Sequence, residues 1–218
     1  MKPLIGLIPG FLAILSTTWA HGQDIHNGYI WIEGPTEVLQ PDTTYTLEVW
    51  SRWESPLWVD GVSAMFGFTT NIINDEGGQS VADVSNVILD PWINFLSYTG
   101  NISNNSIYGV SGGQIPPDFP QEPWDYERAN PLRLFTFDFT TASQTPGLIS
   151  FSPSNPYNGV LAFMPDPGNV GAIHAPVDSN TALYLDGWTS TIPAPMSIGP
   201  LGLGAACVLR RRERRTMP

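Results

Sequence analysis

A single cysteine, Cys207, in 218 residues excludes any disulfide within the chain. Positive charge is almost as scarce. Lys2 is the one lysine, and of eight arginines only Arg52, Arg128 and Arg133 precede the last nine residues, which hold Arg210, Arg211, Arg212, Arg214 and Arg215. Between His21 and Ile192, 19 Asp and Glu face those three arginines, a formal charge of −16. A surface of that sign repels phosphate, so nucleic acid is excluded as a partner. Charged residues make up only 13% of the chain, too few to solvate long helices. No apolar run reaches the roughly 20 residues that span a bilayer comfortably. His21, His26 and His174 lack zinc spacing, and the cysteine lies in the tail, so a tetrahedral metal site has no ligand set.

What remains is 42% hydrophobic and 11% aromatic, enough for a core, punctuated by 21 Gly and 21 Pro that supply turns. The apolar period is mostly two. Tyr45, Leu47 and Val49 alternate with Thr44, Thr46 and Glu48, and Phe135, Phe137 and Phe139 alternate with Thr136, Asp138 and Thr140. Further strands are predicted at 28–33, 62–70, 107–110, 148–152, 160–164 and 181–185, separated by turn formers such as Gly34-Pro35, Pro41-Asp42 and Pro146-Gly147. One helix is predicted over 81–89, where Val81, Val84 and Val87-Ile88 recur at three to four residues before Pro91. The expected fold is an all-β antiparallel β-sandwich in one domain, residues 23–191, with no internal repeat.

Both ends read as targeting segments. Lys2 precedes an apolar stretch from Leu4 to Leu15, and Thr18 and Ala20 stand at signal-peptidase spacing, which predicts a signal peptide over 1–20 cut after Ala20. Ala20 and Gly22 form a second acceptable pair, and a retained anchor is the alternative to cleavage. The C-terminal segment, 192–215, runs from Pro193-Ala194-Pro195 through fourteen uncharged residues, 196–209, into the arginine cluster. Basic residues after an apolar segment stay on the cytoplasmic side, leaving everything before Pro193 outside.

The tail resembles a PEP-CTERM sorting signal, the bacterial three-part signal read by exosortase-type membrane enzymes. The matching residues are Pro193, Ala194 and Pro195, the Gly/Leu-rich stretch 199–206, and Arg210, Arg211 and Arg212, with Ala194 where the usual triplet has Glu. The resemblance implies an exported protein of the cell surface or extracellular matrix, held transiently in the inner membrane by its C-terminal segment before an exosortase-type enzyme processes it. In the body, the turn-then-strand at 38–47 and the pair at 135–152 around Thr145-Pro146-Gly147 resemble cohesin-like modules, which implies a jelly-roll-like sandwich. No Gly stands between Pro41 and Asp42.

Catalytic signals are sparse. Gly109-Val110-Ser111-Gly112-Gly113 matches G-x-S-x-G, and His174 follows in hydrolase order, but Gly112, Gly113, Pro116 and Pro117 leave no room for the helix such an elbow requires. Asp125 and Glu127 could share a strand face as a glycosidase pair, and equally could be solvated loop charge. No cofactor is called for, although the oxygen-rich turns at 74–78 and 166–169 suit a structural Ca²⁺. Aromatic residues carry the binding signal. Trp50, Arg52, Trp53 and Trp58 cluster around Pro56, and Trp124 with Tyr126 lies in an acidic, Pro-rich loop. Flat rings stack on sugars while carboxylates bind hydroxyls, so Trp53, Trp58 and Trp124 are candidate glycan-binding residues and extracellular polysaccharide a candidate partner; closing the ends of the core is their other reading. The expected function is that of a non-catalytic structural or adhesive protein of the envelope or matrix, with a carbohydrate-active hydrolase as the alternative.

Overall fold

The structure, a computed structural model, describes residues 25–76, 79–115, 126–143, 146–155, 160–167 and 171–194. These residues form strands and turns, with no α-helix among them. The strands are β1 His26–Glu33, β2 Thr44–Glu54, β3 Ala64–Asn74, β4 Val81–Leu89, β5 Phe95–Tyr98, β6 Asn101–Ser103, β7 Ser106–Gly113, β8 Leu132–Thr141, β9 Gly147–Ser154, β10 Leu161–Met164, β11 Ile173–Ala175, β12 Thr181–Asp186 and β13 Trp188–Ile192. They pair into two packed sheets. The smaller runs β12-β1-β2-β8-β4, and the larger runs β11-β10-β3-β7-β5, with β6 on β7 and β9 joining β3 to β13. The sandwich expected from the sequence is therefore present.

Each sheet buries one face by alternation, as strand geometry requires. Phe135, Phe137 and Phe139 of β8 are fully buried with Leu47 and Val49 of β2, while Ile72, Val110, Phe151 and Phe163 come down from the larger sheet. Aromatic rings lock the layers together. Phe137 meets Phe151 edge-on at 5.3 Å, and Phe139 lies 5.4 Å from Phe151 and 5.6 Å from Trp188.

One expectation is corrected, and one strand pair departs from the antiparallel rule. The predicted helix at 81–89 is strand β4, antiparallel to β8. Its register shifts between Val81 and Asp83 and again between Ser85 and Ile88, with Asn86 at φ 50°. Each β-bulge inserts a residue and converts a two-residue period locally to three, so Val81, Val84 and Val87 turn toward the core at spacing that imitates a helix. Nor is the sandwich wholly antiparallel. β12 runs parallel to β1, from His26↔Thr181 to Trp31↔Asp186, and after Gly187 the chain enters β13, which is antiparallel to β9 in the other sheet. The 11 residues of β12 and β13 thus cross between layers. Gly187 permits this because a Cβ there would meet the Phe151 carbonyl oxygen at 2.7 Å.

Candidate functional site

The sequence-derived candidates separate in space. Trp53 is 2% exposed and packs on Phe163 at 4.5 Å, so its indole has no face to offer a sugar. Asn130 fixes its backbone, accepting from the Trp53 N–H at 3.0 Å and donating to the Trp53 carbonyl at 2.9 Å. Trp58 also packs on Phe163, at 5.5 Å, with its Nε1–H donated to Asp60 at 3.1 Å. Both rings close one end of the core, and neither belongs to an outward aromatic face. Trp124 and Asp125 lie outside the described residues, as do Ala20, Pro195, Arg210, Arg211 and Arg212. Pro193 and Ala194 are exposed beyond the end of β13. The Glu127 carboxylate accepts the Ala129 N–H at 3.0 Å, a contact that holds its own turn.

Ser111 and His174 line one shallow apolar groove on the outer face of the larger sheet, with Gly67 and Gly113 in its floor and Phe95 and Leu96 at its side. They do not form a nucleophile and base. Ser111 on β7 faces Thr69 of β3, whereas His174 on β11 faces Ala162 of β10, which in turn faces Gly67 of β3. Three strand-to-strand steps separate them, about 14 Å, beyond the reach of a hydrogen bond between the two side chains. His174 instead sits 3.2 Å from Asp178, whose carboxylate also accepts the His174 backbone N–H at 2.7 Å. That backbone hydrogen bond holds the Asp178 carboxyl below the usual carboxylate range.

Of the two oxygen-rich turns, the described part of the first is engaged within the protein. Asp75 Oδ2 accepts hydroxyl hydrogens from Ser150 at 3.1 Å and Ser152 at 2.5 Å, tying the end of β3 to β9. Among the described residues no three His, Cys, Asp or Glu side chains gather as a metal set.

The feature best suited to recognition lies on the outer face of the smaller sheet. Alternation on β1 sends Ile30 and Ile32 inward and Tyr29, Trp31 and Glu33 outward. On β2 it sends Val49, Ser51 and Trp53 inward and Glu48, Trp50, Arg52 and Glu54 outward. Register then aligns these side chains into two rows across the strands. In the first, Tyr184 of β12 faces Tyr29, which faces Arg52. The two phenol rings stack at 5.1 Å with 18° between planes, and the Arg52 guanidinium carbon stands 5.1 Å from the Tyr29 ring centre. In the second, Asp186 faces Trp31, Trp31 faces Trp50 and Trp50 faces Arg133. The indoles stack at 6.4 Å, again 18° apart.

Carboxylates hold the polar edge of three of the four rings. Trp31 Nε1–H donates to Glu33 at 2.7 Å, Trp50 Nε1–H to Glu48 at 3.1 Å, and Tyr29 O–H to Glu54 at 2.8 Å. Arg52 donates to Glu54 at 2.6 Å, and Arg133 bridges Glu48 and Asp90, both at 2.9 Å. The Glu54 hydrogen bond raises the Tyr29 hydroxyl above the ordinary tyrosine range, and Asp90, then Glu48, does the same for Arg133. Tyr29 reaches toward Glu54, in the cross-strand row of Asn27, whereas Trp31 reaches toward Glu33 in the opposite direction along the strand. The rows therefore lean apart. Between them opens a groove walled by Tyr29, Tyr184 and Arg52 on one side and Trp31 and Asp186 on the other.

The sequence reading placed Trp50 and Arg52 in one cluster with Trp53, but missed Tyr29, Trp31 and Tyr184. The available signal was parity. Trp50 and Trp53 stand three residues apart on one strand, an odd separation that puts them on opposite faces. Tyr29 and Trp31 were hidden because β1 is apolar on both faces, the pattern of a strand covered on both sides.

No protein-family model matches the chain, and no curated protein matches it. Cohesin modules are among the solved structures that match the chain. The cohesin module of a family 33 glycoside hydrolase from Clostridium perfringens shares 9% identity over 79% of this chain and all of its own, with a TM-score of 0.47. The seventh ScaB type I cohesin from Pseudobacteroides cellulosolvens shares 10%, over 79% of this chain and 96% of its own, at 0.46. A chain of the Coh-OlpA-Doc918 complex, a type I cohesin–dockerin complex from Clostridium thermocellum, shares 12%, over 76% and 99%, at 0.44.

Proposed function

We propose that the chain is an exported, non-catalytic structural or adhesive protein of the cell envelope or extracellular polysaccharide matrix. On this reading residues 1–20 are a signal peptide removed after Ala20, 23–191 are the working domain, and 192–215 are a PEP-CTERM-like tail. An exosortase-type enzyme processes that tail at the inner membrane before the domain reaches the surface. The observation that carries the functional part is the carboxylate-clamped aromatic groove on β12, β1 and β2. Rings held in place before a ligand arrives lose little conformational freedom on binding, which is what a recognition surface needs. The wide separation of Ser111 from His174 speaks against a serine hydrolase; the carboxylate pair of the carbohydrate-active alternative, Asp125 and Glu127, has its first member outside the described residues.

The test is recovery of the full-length gene product from fractionated cells, its intact mass, and its retention on the polysaccharide matrix of the producing cells. Surface material that begins near His21, lacks the arginine cluster and stays on the matrix supports the reading. Cytoplasmic material beginning at Met1 overturns export. Surface material that washes off the matrix as readily as a carrier protein overturns adhesion.

A further inference from the structure

We infer that the groove between the Tyr184–Tyr29–Arg52 and Asp186–Trp31–Trp50 rows takes a single chain of an uncharged, hydroxyl-rich polysaccharide, lying across the strands of β12, β1 and β2. The inference rests on the reading of the domain as a matrix-binding module and specifies its ligand.

Shape restricts the occupant first. Rows on the same face are two residues apart along a strand, about 7 Å, before their outward lean. That floor is narrower than a helix with its side chains, roughly 10–12 Å across, so an amphipathic helix cannot reach down between the rows to it. An added β-strand would pair along the exposed edge of a sheet, whereas this groove crosses the face at right angles to the strands. A thin extended polymer is left, either a polysaccharide or a proline-rich peptide.

Hydrogen-bonding chemistry separates those two. A polyproline segment presents carbonyl acceptors and lacks N–H groups at each proline, so an aromatic groove holds it with ring-edge donors. Here the donors of Trp31, Trp50 and Tyr29 are spent on Glu33, Glu48 and Glu54, and a chain that only accepts would leave the Asp186 carboxylate in the groove without a donor. What the groove's lining offers besides ring surface is the Asp186 carboxylate in one row, an acceptor only, and the Tyr184 hydroxyl with the spare N–H groups of Arg52 in the other. Hydroxyl groups, which both donate and accept, answer both kinds of group, so such a rim suits a hydroxyl-rich ligand. Charge narrows the class again. Glu33, Glu48, Glu54 and Asp186 outnumber Arg52 and Arg133, each arginine is already paired, and the body carries −16, so an anionic polymer meets repulsion with no free cation to offset it.

The mature protein, taken from the cell surface, is run in native gels containing hydroxyethylcellulose or dextran as neutral probes, alginate as the anionic probe and chitosan as the cationic one. A proline-rich peptide is titrated separately by fluorescence. The expected result is retardation by at least one neutral probe that persists in high salt and weakens roughly ten-fold in Trp31→Ala. Tyr184→Ala, at a side chain 51% exposed, weakens it too and guards against a folding defect at Trp31. Retardation in high salt by alginate or chitosan alone, lost in both variants, overturns the uncharged class while leaving matrix binding intact. Peptide binding lost in both variants overturns the polysaccharide. Retention on native matrix that neither variant changes overturns this groove as the site, and a parent protein that the matrix does not retain overturns the matrix reading itself.

Discussion

The indole planes of Trp31 and Trp50 lie 18° apart with centres separated by 6.4 Å, each pinned by a carboxylate two residues away on its own strand. Those carboxylates, Glu33 and Glu48, are themselves cross-strand partners. Two like charges directly opposite one another are unfavourable, yet each accepts an indole N–H and Glu48 also holds Arg133, so the repulsion is taken up by hydrogen bonds and an ion pair. The pair is ordered by contacts made before any ligand is present.

Trp31→Ala and Trp53→Ala should therefore have opposite signatures. Trp31 lies on the outer face, and its loss should cost about 1 kcal/mol of stability, the scale of a cross-strand pair, while weakening retention on polysaccharide roughly ten-fold. Trp53 is core, and its loss should cost roughly 3 to 5 kcal/mol with retention unchanged in the molecules that stay folded. Urea melts beside a retention assay measure both, and an equal stability loss at the two positions would contradict the assignment of faces.

Phe137→Ala should cost roughly 3 to 5 kcal/mol in urea unfolding, because the ring is fully buried and edge-on to Phe151 of the opposite sheet. A change under 1 kcal/mol would mean that β8 does not carry the core.

Gly187→Ala tests the crossing between layers. The added methyl would need to displace the Phe151 carbonyl oxygen, 2.7 Å away, or the Ser152 hydroxyl, 2.8 Å away, at the point where β12 becomes β13. A loss of about 1 to 3 kcal/mol is expected, the usual cost of overpacking. Gly61→Ala, with nothing within 4 Å, is the comparison, because it strains only a turn at φ 74°. The expected order is a larger loss at 187 than at 61.

Acid should release the Asp178 turn. Its carboxyl is held below the ordinary carboxylate range, chiefly by the His174 backbone N–H, so its contribution is complete above the unfolded value and disappears as pH falls through the folded one. Asp178→Asn should thus be less stable than the parent at neutral pH, and the gap should close in strong acid. Urea midpoints measured from neutral pH downward give the comparison, and a gap that widens in acid would reverse the assignment.

Ser111→Ala should leave hydrolysis of simple esters at the level of the parent protein, since Ser111 stands three strands from His174. Ester turnover in the parent that vanished in this variant would restore the hydrolase reading.

Much of the sandwich was legible in the chain. The alternation of Phe135, Phe137 and Phe139 with polar residues specified β8 and its inward face, and Pro and Gly marked most of its turns. Local pattern failed where pairing overrode it. The bulges of β4 produced helical spacing in a strand, and β5 and β6, short and exposed throughout, carry no alternation to detect.

The binding face divides along the same line. Residue identity alone determined that β1 and β2 carry aromatics and acids at every second position, because side chains on a strand must alternate. Which face of β1 meets the other sheet was decided by tertiary structure, since Tyr29 and Trp31 are large and mostly apolar like Ile30 and Ile32, and only the second pair is buried between the layers. Tertiary structure likewise decided the row. Tyr184 reaches Tyr29 because β12 pairs with a strand more than 150 residues earlier, and no local period encodes a contact whose register depends on every strand folded between them.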